Sequence, residues 1–167
     1  MFTLVDVRNE FDRLDKQFGI DTTGIDIVIS TRGIVRRAAV VYEKRVPVLV
    51  RISSYMFEEN EDVFFNTVRH EYAHILTGLR YPREDHGHDG AWKEACVEVG
   101  CRPSRISAHT DVSKKHTRER AKYIVCCPKC GIEWERYRLS KMITSIRDQA
   151  NHGYRCSKCN GKVQLKK

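Results

Sequence analysis

The first twenty residues alternate apolar and polar positions with a helical period. Leu4, Val7, Phe11, Leu14 and Phe18 recur at three- and four-residue steps, so residues 3–18 predict an amphipathic helix. Thr3 stands where an N-cap belongs and Gly19 where the helix must stop. The period then shortens. Residues 25–30, 35–42 and 46–52 are β-branched runs separated by Thr31-Arg32-Gly33 and Glu43-Lys44-Arg45, and they read as three strands of a small antiparallel meander. Pro47, which cannot donate to a ladder, points to an edge position or a strand end. Helical period returns over residues 60–79, where Val63, Phe64, Val68, Ile75, Leu76 and Leu79 form one broad face and Gly78 reads as a terminator. A loop over 81–87 leads to a shorter helix, about 89–99, with Trp92, Cys96 and Val99 inward. Arg102-Pro103-Ser104 breaks any helix there, and the polar stretch 101–121 reads as the link between two units.

Composition adds little until it is split. The chain has 167 residues, 41% hydrophobic and 31% charged, an ordinary globular mixture. Its best apolar run, residues 46–50, falls far short of the roughly 20 residues a membrane helix needs. Asp6 and Glu10 precede any apolar stretch, so a signal peptide is not expected and the setting reads as cytoplasmic, or nuclear in a eukaryote. Charge is distributed unevenly. Residues 1–111 hold 15 Lys+Arg against 18 Asp+Glu, a net of −3, while residues 112–167 hold 15 against 4, a net of +11. Such asymmetry points to a basic module with a polyanionic partner; its plainer reading is a solvated face.

Chemistry enters with His70-Glu71-Tyr72-Ala73-His74. Two histidines four apart on a helix stand one turn above the other and can reach one ion from one face. The glutamate after the first histidine is then placed to act as general base on a metal-bound water. Zinc needs a third protein ligand. The metzincin pattern is excluded, because Thr77 and Arg80 stand where it needs Gly and His. His88, Glu94 on the following helix, and His86 remain as candidates.

Cys127-Pro128-Lys129-Cys130 and Cys156-Ser157-Lys158-Cys159 form two C-x-x-C knuckles with 25 residues between them. Four thiolates make a closed, structural zinc site. Gly131 and Gly161 follow the knuckles and would supply the backbone turns. The x-x spacing favours Cys127 over its neighbour Cys126 as ligand, and Cys96 and Cys101 read as core residues. Residues 142–152, between the knuckles, suit a short helix or a hairpin loop. Around the knuckles lie Lys114, Lys115, Arg118, Arg120, Lys122, Arg136, Arg138, Lys141, Arg147 and Arg155, interleaved with Trp134, Tyr137 and Tyr154. Cations with aromatics suit phosphate contacts and base stacking, although Trp134 and Tyr137 equally suit packing of a miniature core.

The H-E-x-x-H motif, a loop, and then His88-Asp89-Gly90-Ala91-Trp92-Lys93 resemble the SprT-like family of zinc metalloproteases. The resemblance assigns the third ligand to His88, four residues before the aromatic Trp92 at the start of a helix. It implies an α+β fold: a small antiparallel sheet with active-site helices, a zincin-like minimal metalloprotease, followed by a C-terminal zinc ribbon. The expected organisation is a protease domain over 1–111, a basic linker over 112–121 and a ribbon over 122–167. The resemblance implies one catalytic zinc ion on His70, His74 and His88, and the C-x-x-C pairs predict one structural zinc ion on Cys127, Cys130, Cys156 and Cys159. Tyr42, Tyr81, His86 and His109 are candidates for stabilising an oxyanion. The implied function is a monomeric DNA-associated endopeptidase, with no membrane partner, cutting proteins bound or crosslinked to DNA. The DNA preference expected of the ribbon is for single-stranded or distorted forms without sequence specificity. The alternatives are a non-catalytic, zinc-dependent nucleic-acid-binding or repair adaptor, and a peptidase of soluble proteins whose basic part binds RNA or an acidic partner.

Overall fold

A computed structural model describes residues 1–31, 36–82, 87–105, 109–149 and 152–167. The chain divides into two compact units, Met1–Val112 and Ser113–Lys167.

The first unit opens with helix α1, Leu4–Phe18. Thr3 and Asp6 close a reciprocal capping box at its start, and Gly19 ends it in the left-handed region at φ 66°. Val7, Phe11 and Leu14 are buried. Three strands follow: β1, Asp26–Ser30; β2, Ala38–Glu43; and β3, Val46–Ser53. Their order is β1-β3-β2, with β1 parallel and β2 antiparallel to β3. The antiparallel meander expected from the sequence is therefore corrected to a mixed sheet. Its most apolar run, β3, takes the centre and buries Val50 and Ile52, while β1 exposes Val28 and Ile29 at one edge. The chain from β1 to β3 passes through β2, which supplies the long crossover that a parallel pair requires. Pro47 lies on the central strand and not at an edge, but as its second residue it fits the expected strand end. It faces Tyr42 where the β2–β3 register shifts, so the bulge accommodates the missing donor.

A short 3₁₀ turn, Ser54–Glu58, leads to helix α2, Glu61–Arg80, capped by the Asn60 side chain on the Val63 N–H. Gly78 does not terminate it. It is buried within the last turn, where a Cβ would approach the Tyr42 ring to 3.0 Å. Helix α3, Gly90–Val99, is capped by Asp89 and ends at Gly100, φ 75°, with Trp92, Ala95, Cys96 and Val99 inward. Polar struts tie α1 to α2: Tyr72 donates to Asp15 at 2.8 Å, and Arg69 meets Glu10 at 2.7 Å. One apolar core, including Phe11, Val50, Phe64, Tyr72 and Trp92, joins helices and sheet.

The stretch expected as a linker contains helix α4, Asp111–Arg120. Beyond it the second unit carries β4, Tyr123–Cys126; β5, Glu133–Arg136; α5, Lys141–Asp148; and β6, Gln164–Leu165. The strands form an antiparallel sheet in the order β5-β4-β6. Between the knuckles stands α5, with Ser140 as N-cap and Ile143 and Ile146 buried. Its small core adds Val125, Cys127, Cys156 and Val163. Among the described residues no helix is long and apolar enough to cross a membrane.

Candidate active site

His70 and His74 project from consecutive turns of α2, with ring centroids 5.1 Å apart. His88 arrives from the residues just before α3, its ring 5.3 Å from His70 and 4.8 Å from His74. One ligand atom from each of the three lies within 4.8 Å of the others. Glu94 is exposed on α3 and outside this cluster, and His86 lies outside the described residues. Trp92, fully buried on the first turn of α3, packs against all three imidazoles at 4.5–5.2 Å. Asp89 holds that turn in place through the Trp92 N–H at 3.0 Å.

The donor set suits a metal ion. His88 Nε2 lies 3.3 Å from His70 Nε2. Bonds of about 2.0–2.1 Å to a tetrahedral zinc ion would set two nitrogens about 3.4 Å apart. Burial, and secondarily the neighbouring imidazoles, drives His70 down to about 4 and His74 to about 3. His88 is lowered too, by burial and then by the charge of Arg105. All three are therefore neutral at pH 7, with lone pairs free to ligate.

Glu71 points into a different setting. It is buried, and burial pushes its carboxyl up to about 8, against the opposing pull of the Val40 N–H and the Arg36 charge. A divalent cation held by the histidines would favour the ionised form and draw that value back down. Val40 belongs to β2, so the sheet edge and the active-site helix meet at this carboxylate.

Tyr42, also from β2, donates its hydroxyl to the His74 carbonyl at 2.8 Å. Its ring fits against α2 because Gly78 has no side chain. Burial, and then the Glu71 charge, pushes the phenol up to about 12, so it stays a donor at neutral pH. The other oxyanion candidates lie elsewhere: Tyr81 caps the end of α2, His109 is exposed and His86 is outside the described residues. Sequence reading missed the Tyr42–Gly78 fit, and the available signal was a glycine inside an otherwise uninterrupted helical pattern.

In the second unit Cys127, Cys130, Cys156 and Cys159 cluster, again within 4.8 Å, while Cys126 remains on β4 outside the group. Cys127 and Cys159 sulfurs lie 3.4 Å apart, and Cys130 and Cys156 sulfurs 3.6 Å. A tetrahedral ion with Zn–S bonds of about 2.3 Å sets its sulfurs about 3.8 Å apart, so the four fit one ion. Burial opposes ionisation of Cys156, but the N–H groups of Cys159 and Lys158 outweigh it and bring the thiol to about 7. The left-handed residues of the two knuckles are Gly131, φ 72°, and Asn160, φ 56°. Gly161 serves a different need from the one expected of it. A Cβ there would lie 2.9 Å from Lys129 Cβ and 3.0 Å from Cys127 Sγ.

The basic positions are exposed, and some have partners. Arg118 is paired with Glu133 at 2.7 Å, and Arg147 with Asp148 at 2.6 Å. Arg136 donates to the Glu135 carbonyl, Tyr137 donates to the Thr117 carbonyl, and Trp134 and Tyr154 pack on the small core. Lys114, Lys115, Arg120, Lys122, Arg138, Lys141 and Arg155 are exposed.

Residues 7–117 match the SprT-like family. The chain belongs to that family. The match covers His70, Glu71, His74 and His88 and ends before the four cysteines. No curated protein matches the chain. Zinc metalloprotease is the general type of that family, and the three-histidine and four-cysteine clusters are two places that could hold a metal ion.

Proposed function

We propose that this SprT-like chain is a zinc-dependent endopeptidase, built on a zincin-like arrangement of sheet edge and active-site helix, that cleaves proteins bound or crosslinked to DNA. The observation that carries the reading is the convergence of His70 and His74, from α2, with His88, from the residues before α3, together with the buried Glu71 carboxyl on α2. His70, His74 and His88 would hold the zinc ion, which when bound acidifies water and polarises a carbonyl. Glu71, ionised beside the bound cation, would take up the proton and deliver it to the leaving amine. The Val40 N–H fixes that carboxylate, and Tyr42 braces the backbone of His74. Strand β2 pairs with β3 on one side, and its other edge suits an extended polypeptide added as a further strand.

DNA enters the proposal through the second unit. Cys127, Cys130, Cys156 and Cys159 would hold a structural zinc ion, and the exposed cations around them would contact phosphates without reading sequence. Tethering to DNA raises the local concentration of proteins held on it, so an unselective active site becomes effective there. The test is cleavage of one protein, free and crosslinked to DNA, by the zinc-loaded chain at low and moderate salt. Faster, salt-sensitive cleavage of the crosslinked form supports the reading. Equal cleavage of both forms contradicts the DNA-associated part, and DNA binding without fragments favours a non-catalytic adaptor.

A further inference from the structure

Beside His88 the first turn of α3 and the chain after Gly100 enclose an open cleft of about 680 Å³, walled by Trp92, Lys93, Pro103, Ser104 and Arg105. Pro103 offers apolar surface, Trp92 forms the buried floor, and Lys93 and Arg105 offer two cations. Neither cation is held in an ion pair among the described residues, although other basic side chains of this unit are matched: Arg69 to Glu10, Arg80 to Glu98 and Arg102 to Asp62. No carboxylate lines the cleft among the described residues. Glu98 is committed to Arg80, and Asp89 to the Trp92 N–H. Trp92 also carries the one buried side-chain donor without an acceptor among the described residues, its indole N–H. That donor is buried and not open to the cleft, so the cleft's case rests on two cations at one concavity with no carboxylate facing them among the described residues.

We propose that this cleft is a subsite for an acidic side chain, Glu or Asp, of the polypeptide being cleaved. The assignment rests on the endopeptidase reading for its substrate. Position argues for polypeptide over nucleic acid: His88 belongs both to the cleft wall and to the three-histidine cluster. An extended chain advances only about 3.3 Å per residue, so a group seated here sits within a residue or two of the bond being cut. Lys93 supplies a mobile point charge, Arg105 a planar fork that matches a carboxylate, and Pro103 a surface for the side-chain methylenes. Amide analogues fit the same space but leave the cations uncompensated.

The experiment uses the zinc-loaded full chain and labelled decapeptides of Ala, Ser and Gly, with one Glu or one Gln walked through successive positions. At one position kcat/KM should favour Glu over Gln by about fivefold, in line with a partly screened charge pair. The Lys93→Glu/Arg105→Glu double variant should invert that ratio, and Lys93→Gln/Arg105→Gln should bring it to about one, which keeps the test intact if charge reversal prevents folding. A ratio near one at every position in the wild type overturns the proposal, as does a preference that survives both double variants. Binding of the same peptides to zinc-loaded Glu71→Gln, read by fluorescence anisotropy, separates the subsite from turnover. Glu-selective binding without cleavage by the wild type supports the subsite and rejects the endopeptidase reading, whereas equal binding of Glu and Gln peptides rejects the subsite. Loss of single-stranded DNA affinity in the double variants, with the peptide ratio unchanged, makes the cleft a phosphate contact and also overturns the proposal.

Discussion

Glu71 and the histidines that flank it are shifted in opposite directions by the same burial, and the metal-free chain should register both. Glu71 binds its proton more tightly folded, near 8, than at its ordinary 4.5, so its contribution to stability is present at low pH and lost as pH climbs toward 8. His70 and His74 bind protons less tightly folded, near 4 and 3, than at their ordinary 6.5. Their contribution is present above 6.5 and lost as pH falls toward those values. Thermal melting of the metal-free protein should therefore peak at about pH 6.5, each group tilting the limb by up to about 1.4 kcal/mol per pH unit. Glu71→Gln should flatten the alkaline limb and steepen the acid limb between pH 4.5 and 6.5, where Glu71 opposes the two histidines. An alkaline limb that persists in this variant contradicts the burial of Glu71. Tyr42→Phe removes the hydroxyl on the His74 carbonyl and should cost about 1 kcal/mol in denaturant unfolding, with the ring still packed against Gly78.

At the scale of elements, legibility followed how local the cause was. Helix α1 could be read with both its ends because Thr3, Asp6 and Gly19 act within one turn of where they stand. Asp89 and Gly100 bounded α3 for the same reason. Histidines four apart, and cysteines in C-x-x-C pairs, likewise announce themselves through local spacing. What was not legible depended on partners distant in sequence. Whether β1 runs beside β2 or β3 is decided by which strand must be buried on both sides, and nothing in residues 25–30 records it. Gly78 looked like a stop because Tyr42, 36 residues earlier, is what requires its small size. Gly161 was similarly misread, since the crowding by Cys127 and Lys129 comes from the other knuckle. One local consequence is testable. Lys44 and Arg45 carry the β2–β3 turn with φ of 48° and 70°, a conformation that Asn-Gly adopts more readily. Lys44→Asn with Arg45→Gly should stabilise the first unit by about 1 kcal/mol, visible as a rise of a few degrees in melting temperature.

For the whole molecule, the net +11 of residues 112–167 has to be reduced by the cations already spoken for. Arg118 and Arg147 are ion-paired, whereas Lys115, Arg120 and Lys122 are exposed without a described ion pair. Replacing these three with Gln should lower affinity for single-stranded DNA and shallow its log–log salt dependence by about 0.7 per residue, measured by fluorescence anisotropy. Arg118→Gln should change that slope less, because its guanidinium is engaged with Glu133. Equal effects at all four positions would contradict this sorting. The proposed division of labour gives protein cleavage to the first unit and retention on DNA to the second. Its central claim is that Glu71 moves the proton beside an ion held by His70, His74 and His88. The most direct measurement pairs zinc content with cleavage of a DNA-crosslinked protein, for the wild type and Glu71→Gln. The account predicts two zinc ions in each protein, with fragments from the wild type only. Fragments from Glu71→Gln at the wild-type rate, at equal zinc content, would contradict it.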